Sequence, residues 1–535
     1  MTANQTGETR HEPMSKVDTA WLRMERPSNL MMITGVMMFA DRLDPERFRR
    51  IVRERFISIP RFRQKAVDAP GGAYWQTDAE FDLDWHLRIA GLPGRAGKAE
   101  LERLCSQLAS TPLDASKPRW QFHLVEGFEG GSALITRIHH CYADGIALVQ
   151  VLLSLTDVRP EPLQKAALAK VWFQEDPGSV LDRLLAPARK GINQAVHLAE
   201  TVIDKGRELL ADPEQVARLA HEGSEIAREL AVVLSLSDDP PTRFRGPIGV
   251  SKRCAWADPL PLDEVKAVGQ MFGCTVNDLL LAAAAGALRH YLIDQGDDPD
   301  GITIRATVPV NLRPLEHAKK LGNHFGLVFL EMPIGEANPL ARLSRVVESM
   351  REIKQSRQAM MAFGLLAALG MCPAAILGPA LEMFSRKAST VATNVPGPQM
   401  PLYLAGSRIQ SQMFWVPQTG SIGMGISILS YDGQVYFGLI TDAKRVADPQ
   451  ALVALFRLEF EKLLLLALMA GSVEPLDAAQ AEALLLRFKP TAPPKPKSRP
   501  KPGPKQVRTA SGRARATAVT APDAKQRRRR LKALA

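Results

Sequence analysis

Two histidines stand side by side in the stretch ITRIHHCYADGIALVQ, Ile135 to Gln150, and an Asp144-Gly145 pair follows three residues later and opens an apolar run. An imidazole titrates near neutrality and can take a proton from a hydroxyl. SALITRIHH alternates as a strand, and neighbours on a strand point to opposite faces. One of His139 and His140 is therefore expected to face a cavity while the other supports the loop. The same alternation argues against joint metal ligation, and no Cys/His/Glu cluster lies nearby, so no metal site is expected. Asp144 is expected to hold the loop by pairing with a base such as Arg63. Gly145 is expected to let the chain turn sharply into the next helix without a side chain blocking access. The residue types alone leave two readings open, an acid–base site and a structural strand-to-helix corner.

The elements that must position these residues are legible around them. MMITGVMMFA reads as a buried strand, DPERFRRIVRERF as an amphipathic helix capped by Asp44, and GIALVQVLLSL as a helix too apolar for a surface. Residues 15–160 thus mix strands and helices. Residues 161–245 carry long helical patterns without strand signals and read as a helical connection. The mixed pattern returns over 246–487. Helices are expected there at 261–271, 276–293 and 338–358, and strands at ITIRATVPV, LVFLEMPI, GISILSY and QVYFGLIT. Thr275-x-x-Asp278 matches a helix capping box, which explains Asp278 and puts Asn277 in a first helical turn.

Charge is distributed unevenly. From Arg487 to Ala535 there are 16 Lys/Arg and one Asp, so the rest of the 535-residue chain holds 52 basic and 56 acidic residues. The body is a slightly acidic globular protein, and the overall charge of +11 is no evidence that it binds nucleic acid. Residues 488–535 are Pro- and Lys/Arg-rich and are expected to be disordered. This tail permits nonspecific attraction to nucleic acid or to anionic lipid. Five scattered cysteines with no CxxC pair favour a reducing compartment over a disulfide framework. The polar start MTANQTGETRHEP leads us to expect no secretory leader. Gln358 to Leu381 carries no charge over 24 positions, but Pro373 and Pro379 interrupt it. Buried helices broken by proline are the first reading, and a surface dipping into lipid the second.

His139-His140-Cys-Tyr-Ala-Asp144-Gly145 resembles the HHxxxDG signature of the coenzyme A-dependent acyltransferases, the superfamily of chloramphenicol acetyltransferase and peptide-synthetase condensation domains. Further stretches narrow the resemblance to the bacterial wax ester synthase/diacylglycerol acyltransferase family: VDTAWLRMERPSNLMMITGV, PLDASKPRWQFHLVEG, TVNDLLLAAAAGALRHYL, VPVNLRP, LGNHFGLVFLEMP and TNVPGP. The likeness runs from about residue 15 to 470. One departure is Pro118-Arg119-Trp120, where the family has Pro-Leu-Trp; the Pro and Trp are read as architectural.

The resemblance implies a mixed α/β fold, with two chloramphenicol acetyltransferase-like domains and the active site in a tunnel where they meet. His140 would be the general base and His139 its supporting neighbour, with Asp144 and Gly145 completing the motif. Asn277 would lie near the site as a donor to a developing oxyanion, and TNVPGP would shape the channel. The substrates would be a fatty acyl-coenzyme A and either diacylglycerol or a long-chain alcohol, with no further cofactor. Apolar substrates imply a cytoplasmic protein held peripherally at the inner membrane or a lipid droplet, with 358–384 as the expected contact. The alternative is a non-catalytic lipid-binding protein that keeps the fold.

Overall fold

The computed structural model describes residues 11–69, 72–161, 236–312, 321–355, Gln358, Ala359, Ala362, Phe363, Leu366 and 374–470. Residues 162–235, most of the expected helical connection, and the basic tail 488–535 lie outside the described residues.

Strand Met32–Phe39 is apolar at both parities, and all eight residues are buried, as in a strand covered on both faces. It pairs antiparallel with Ser132–His139, in register from Met32 opposite His139 to Phe39 opposite Ser132. Trp120–Glu126 and Leu87–Gly91 extend the sheet on one side, and Ser407–Trp415 with Tyr403–Leu404 extend it on the other. Ser407–Trp415 comes from the second half of the chain yet lies directly against Met32–Phe39. A division of the chain near residue 245 therefore does not divide the sheets, because the second half lends strands to the first.

The other large sheet runs Phe325–Met332, Ile304–Asn311, Thr390–Pro396, Met424–Tyr431, Gln434–Asp442, Lys252–Trp256, with Leu260–Pro261 added against Gln434–Asp442. Thr390–Pro396 is parallel to both of its neighbours. Helix Val276–Asp294 packs between helices Pro339–Gln355 and Pro449–Ala470 and is buried continuously from Asp278 to Arg289. Its start is the expected capping box: the Thr275 hydroxyl accepts from the Asp278 N–H at 3.2 Å, and the Asp278 carboxylate accepts from the Thr275 N–H at 3.0 Å. Asp44 likewise caps Pro45–Ile51, accepting from the Glu46 and Arg47 N–H groups.

Among the described residues no single helix is long and apolar enough to cross a membrane; Leu262–Met271 with Val276–Asp294 qualifies by composition only as a pair bent by 94°. The uncharged segment after Gln358 is partly described. Its last part forms helix Ala374–Ser385 around Pro379. Ala359, Leu377 and Ala380 are buried, and Leu366, Leu381 and Phe384 line an internal cavity. These apolar side chains thus turn inward.

Candidate active site

The paired histidines sit where strand Ser132–His139 runs into helix Gly145–Ser154. Their backbones are tied to different neighbours. The His139 N–H donates to the Arg119 carbonyl at 3.0 Å, and the His140 N–H to the Met31 carbonyl at 2.7 Å. The side chains diverge as strand alternation requires. His140 lines a cavity of about 190 Å³ with Asp144 and Gly145, and His139 does not.

His140 is buried, with its ring stacked on Trp21 at 4.1 Å and tilted against Phe325 at 5.6 Å. Its Nδ1 is sealed from solvent, which leaves Nε2 as the nitrogen towards the cavity. Burial pushes its pKa down to about 4, against the opposing pull of Asp144. The ring is therefore neutral at physiological pH and can accept a proton.

His139 is fully buried and committed to structure. Its Nδ1 accepts from the Cys141 N–H at 3.1 Å, and its Nε2 stands 3.4 Å from Glu25 Oε2. Glu25 also pairs with Arg119 at 2.7 Å. Burial would raise the Glu25 pKa, but His139 and Arg119 outweigh it and hold it below the ordinary carboxylate range. Arg119, the departure within Pro118-Arg119-Trp120, thus supplies an ion pair beneath the histidine corner. Trp120 is architectural: it is fully buried, donates to the Phe62 carbonyl at 2.8 Å, and stacks on His86 at 4.2 Å.

The expected Asp144–Arg63 pair is not formed. Arg63 is exposed on the turn Pro60–Arg63. Asp144 instead caps its helix by accepting from the Ala147 N–H at 2.8 Å, while its other oxygen accepts from the His324 N–H at 3.1 Å. The Asp144 N–H donates to the Gly322 carbonyl at 3.4 Å. The carboxylate therefore stitches the HHxxxDG loop to residues 322–324. Gly145 does not need its glycine for a turn, since its φ is not in the left-handed region. What it provides is space: a Cβ there would meet no protein atom within 4 Å, and the residue lines the large cavity and a second, smaller one.

Asn277 stands in the first turn of its helix, as expected, but does not line the cavity. Its side-chain oxygen accepts from Asn394 Nδ2 at 2.9 Å, and its own amide nitrogen faces Met350. Asn394, within TNVPGP, lines the cavity wall next to Thr393, as does Asn311 from strand Ile304–Asn311. Sequence reasoning also passed over Trp21, Asp18 and Asn323 as individual residues. All three fall inside stretches that carried the family resemblance, but nothing in their local spacing distinguished them.

Two family descriptions match this chain: the wax ester synthase/diacylglycerol acyltransferase catalytic domain over residues 14–280, and the WS/DGAT C-terminal domain over 321–464. The probable diacylglycerol O-acyltransferase tgs1 of Mycobacterium tuberculosis is 30% identical over 417 residues, which is 76% of this chain and 85% of that protein. A putative diacylglycerol O-acyltransferase of Mycobacterium bovis is 31% identical over 385 residues, 70% of this chain and 74% of its own length. Among solved structures, the wax ester synthase/diacylglycerol acyltransferase from Marinobacter aquaeolei VT8 superposes with a TM-score of 0.60 at 22% identity, covering 85% of this chain and 99% of that one. The first condensation domain of the calcium-dependent antibiotic synthetase does so at 0.51 and 15%, covering 88% and 98%. At those identities the structures show a shared fold.

Proposed function

The chain belongs to the wax ester synthase/diacylglycerol acyltransferase family, and we propose that it transfers a fatty acyl group from acyl-coenzyme A to the free hydroxyl of diacylglycerol, with a long-chain alcohol as the second acceptor. The observation that carries this reading is the neutral imidazole of His140, whose Nε2 is turned to an apolar cavity closed in by Met24, Phe325, Leu327, Leu381 and Phe384. His140 Nε2 takes the acceptor's hydroxyl proton as that oxygen attacks the thioester carbon. A tetrahedral oxyanion forms, the C–S bond breaks, and the departing sulfur takes the proton back from the imidazolium. Uncharged donors at the cavity wall, Thr393 and Asn394 among them, are the groups available to the oxyanion. The test is purified protein with radiolabelled long-chain acyl-coenzyme A and either diacylglycerol or hexadecanol, with the lipids resolved by chromatography. Binding of acyl-coenzyme A without either product would return the reading to a non-catalytic lipid-binding protein.

The second cavity, lined by Ile33, Leu148, Leu152, Pro398, Met413 and others, shares Gly145 and Phe414 with the first. It is the natural continuation for a fatty chain whose carbonyl lies at His140. Gly145→Leu should then fold normally and lose activity on palmitoyl-coenzyme A by about tenfold relative to octanoyl-coenzyme A, the scale on which apolar pockets discriminate. An equal loss on both donors would show that the chain does not pass this residue.

Substrates this apolar point to work at a lipid surface, and the basic segment after Arg487 supplies a means of attraction to it. Each Lys or Arg close to an anionic membrane is worth about 1 kcal/mol at low ionic strength. Deleting residues 490–535 is expected to leave turnover on detergent-dispersed substrate nearly unchanged while weakening flotation with anionic vesicles at low salt. Equal flotation of both proteins, with nuclease present, would remove the segment as a membrane anchor.

A further inference from the structure

The imidazole proposed as the base lies against two aromatic rings brought in by distant segments. Trp21, from helix Lys16–Met24, stands with its ring centre 4.1 Å from that of His140 and the two planes 16° apart. Phe325, at the start of strand Phe325–Met332, is 5.6 Å away and tilted by 48°. Neutral aromatic pairs favour offset or edge-on arrangements, because facing π clouds repel. A nearly parallel ring this close to the indole face suits a cation over tryptophan better than it suits two neutral rings. The stack is also held from behind. Asn323 Nδ2 donates to Asp18 Oδ1 at 2.7 Å and to the His140 carbonyl at 2.8 Å, which ties the helix carrying Trp21 to the backbone of His140. Asp18 lies one helical turn before Trp21, and Met24, one turn after it, lines the cavity.

His140 becomes an imidazolium only while it holds the acceptor's proton. That charge forms in a place nearly shut off from water, since the residue is 5% exposed, and burial disfavours a charged ring. The carboxylate that favours it, Asp144, already accepts from the Ala147 and His324 N–H groups, which share its negative charge. Phe325, tilted and farther off, offers the ring less of its face. We propose that Trp21 is a positioning residue for the base, whose indole face stabilises the imidazolium as it forms and so lowers the barrier to proton transfer. While the ring is neutral the contact is apolar packing. It becomes an electrostatic attraction in the transition state, and an interaction made only there raises the rate without tightening substrate binding.

This inference rests on His140 acting as base. Its test replaces Trp21 site-specifically with mono-, di- and trifluorotryptophan, which keep the shape of the ring and withdraw electron density from its face step by step. The titratable groups on the elements around the imidazole, His139, Asp144, Asp18 and His324, stay in place throughout. With palmitoyl-coenzyme A and diacylglycerol at neutral pH, the single-turnover rate is expected to fall with each fluorine, by about tenfold over the series, while the Kd for palmitoyl-coenzyme A stays within about twofold. The direction of the pH effect is fixed as well. A face that favours the imidazolium raises the ring's affinity for a proton, so weakening that face should move the acid limb of the rate profile to lower pH. A rate constant within about twofold across the series, with an unmoved acid limb, would overturn the proposal. A limb displaced to higher pH would do the same, because it reports water reaching the ring. A readout without turnover separates this from failure of the acyl-transfer reading. The ring C–H resonance of His140, assigned from a His140→Gln variant, should titrate at successively lower pH along the series even if no ester is made from any acceptor, and an unchanged midpoint would count against the stack.

Discussion

His140→Ala should lower acyl transfer by about 10²–10⁴-fold while acyl-coenzyme A binding and the fold persist. The ring is a cavity wall rather than a structural strut: its stacking on Trp21 and its tilted contact with Phe325 are apolar contacts at the edge of free space. The wild-type pH profile carries the same argument. A base works only when unprotonated, so kcat/KM falls on the acid side as the free imidazole takes up a proton. Burial holds that pKa near 4 instead of 6.5, so activity should hold down through pH 6 and 5 and be lost only near 4. A midpoint at 6.5 would mean that the ring is solvated in the working enzyme. The neighbouring His139→Ala should act differently. It removes a fully buried ring that accepts from the Cys141 N–H and faces Glu25. The cost is expected in stability, about 2–4 kcal/mol from the void and the orphaned donor, with a smaller fall in turnover. Activity assays alongside chemical denaturation check both. Equal catalytic loss from the two alanines in equally stable proteins would break the division of labour.

Parts of this arrangement could be read from the chain because their causes are local. Period-two apolar patterning produces strand Ser132–His139, and the same alternation separates the two imidazoles. The Thr275/Asp278 box and the Asp44 cap are contacts between residues three or fewer apart, so they appear in sequence as they do in space. What escaped depends on distant segments. Asp18 and Asn323 are 305 positions apart, and neither shows a spacing signal of its own. The entry of Ser407–Trp415 into the first sheet obeys the same apolar pattern as any other strand, and pattern alone does not choose the partner. Asn277 was correctly placed in a helical first turn, yet an amide there is one side chain short of the cavity, and Asn394 from a different strand takes the position at the wall. Arg63 looked like a partner for Asp144 only because an acid suggests a base; it stands elsewhere, and the Ala147 and His324 N–H groups donate to the carboxylate.

That last difference changes what Asp144→Asn should do. Arg63 does not pair with the carboxylate, so the substitution does not act through that arginine. With backbone donors on both oxygens, an asparagine keeps one acceptor and turns an NH₂ group towards the other N–H. Either the Ala147 cap or the His324 contact must fail, at a cost on the order of 1–3 kcal/mol for an unsatisfied buried group, and the melting temperature should fall by several degrees. Losing the His324 contact loosens the segment that carries Gly322 and Asn323, and hence the amide bonded to the His140 carbonyl. Activity should therefore fall further than an N-cap lesion alone would explain. Electrostatics adds a signed effect. The Asp144 charge raises the proton affinity of His140, so its neutralisation should move the acid limb of the rate profile to lower pH. Differential scanning calorimetry with a pH–rate series separates the contributions. A variant as stable as wild type but inactive would give Asp144 a direct part in the chemistry, and an acid limb displaced upward would contradict the sign of its coupling to the imidazole.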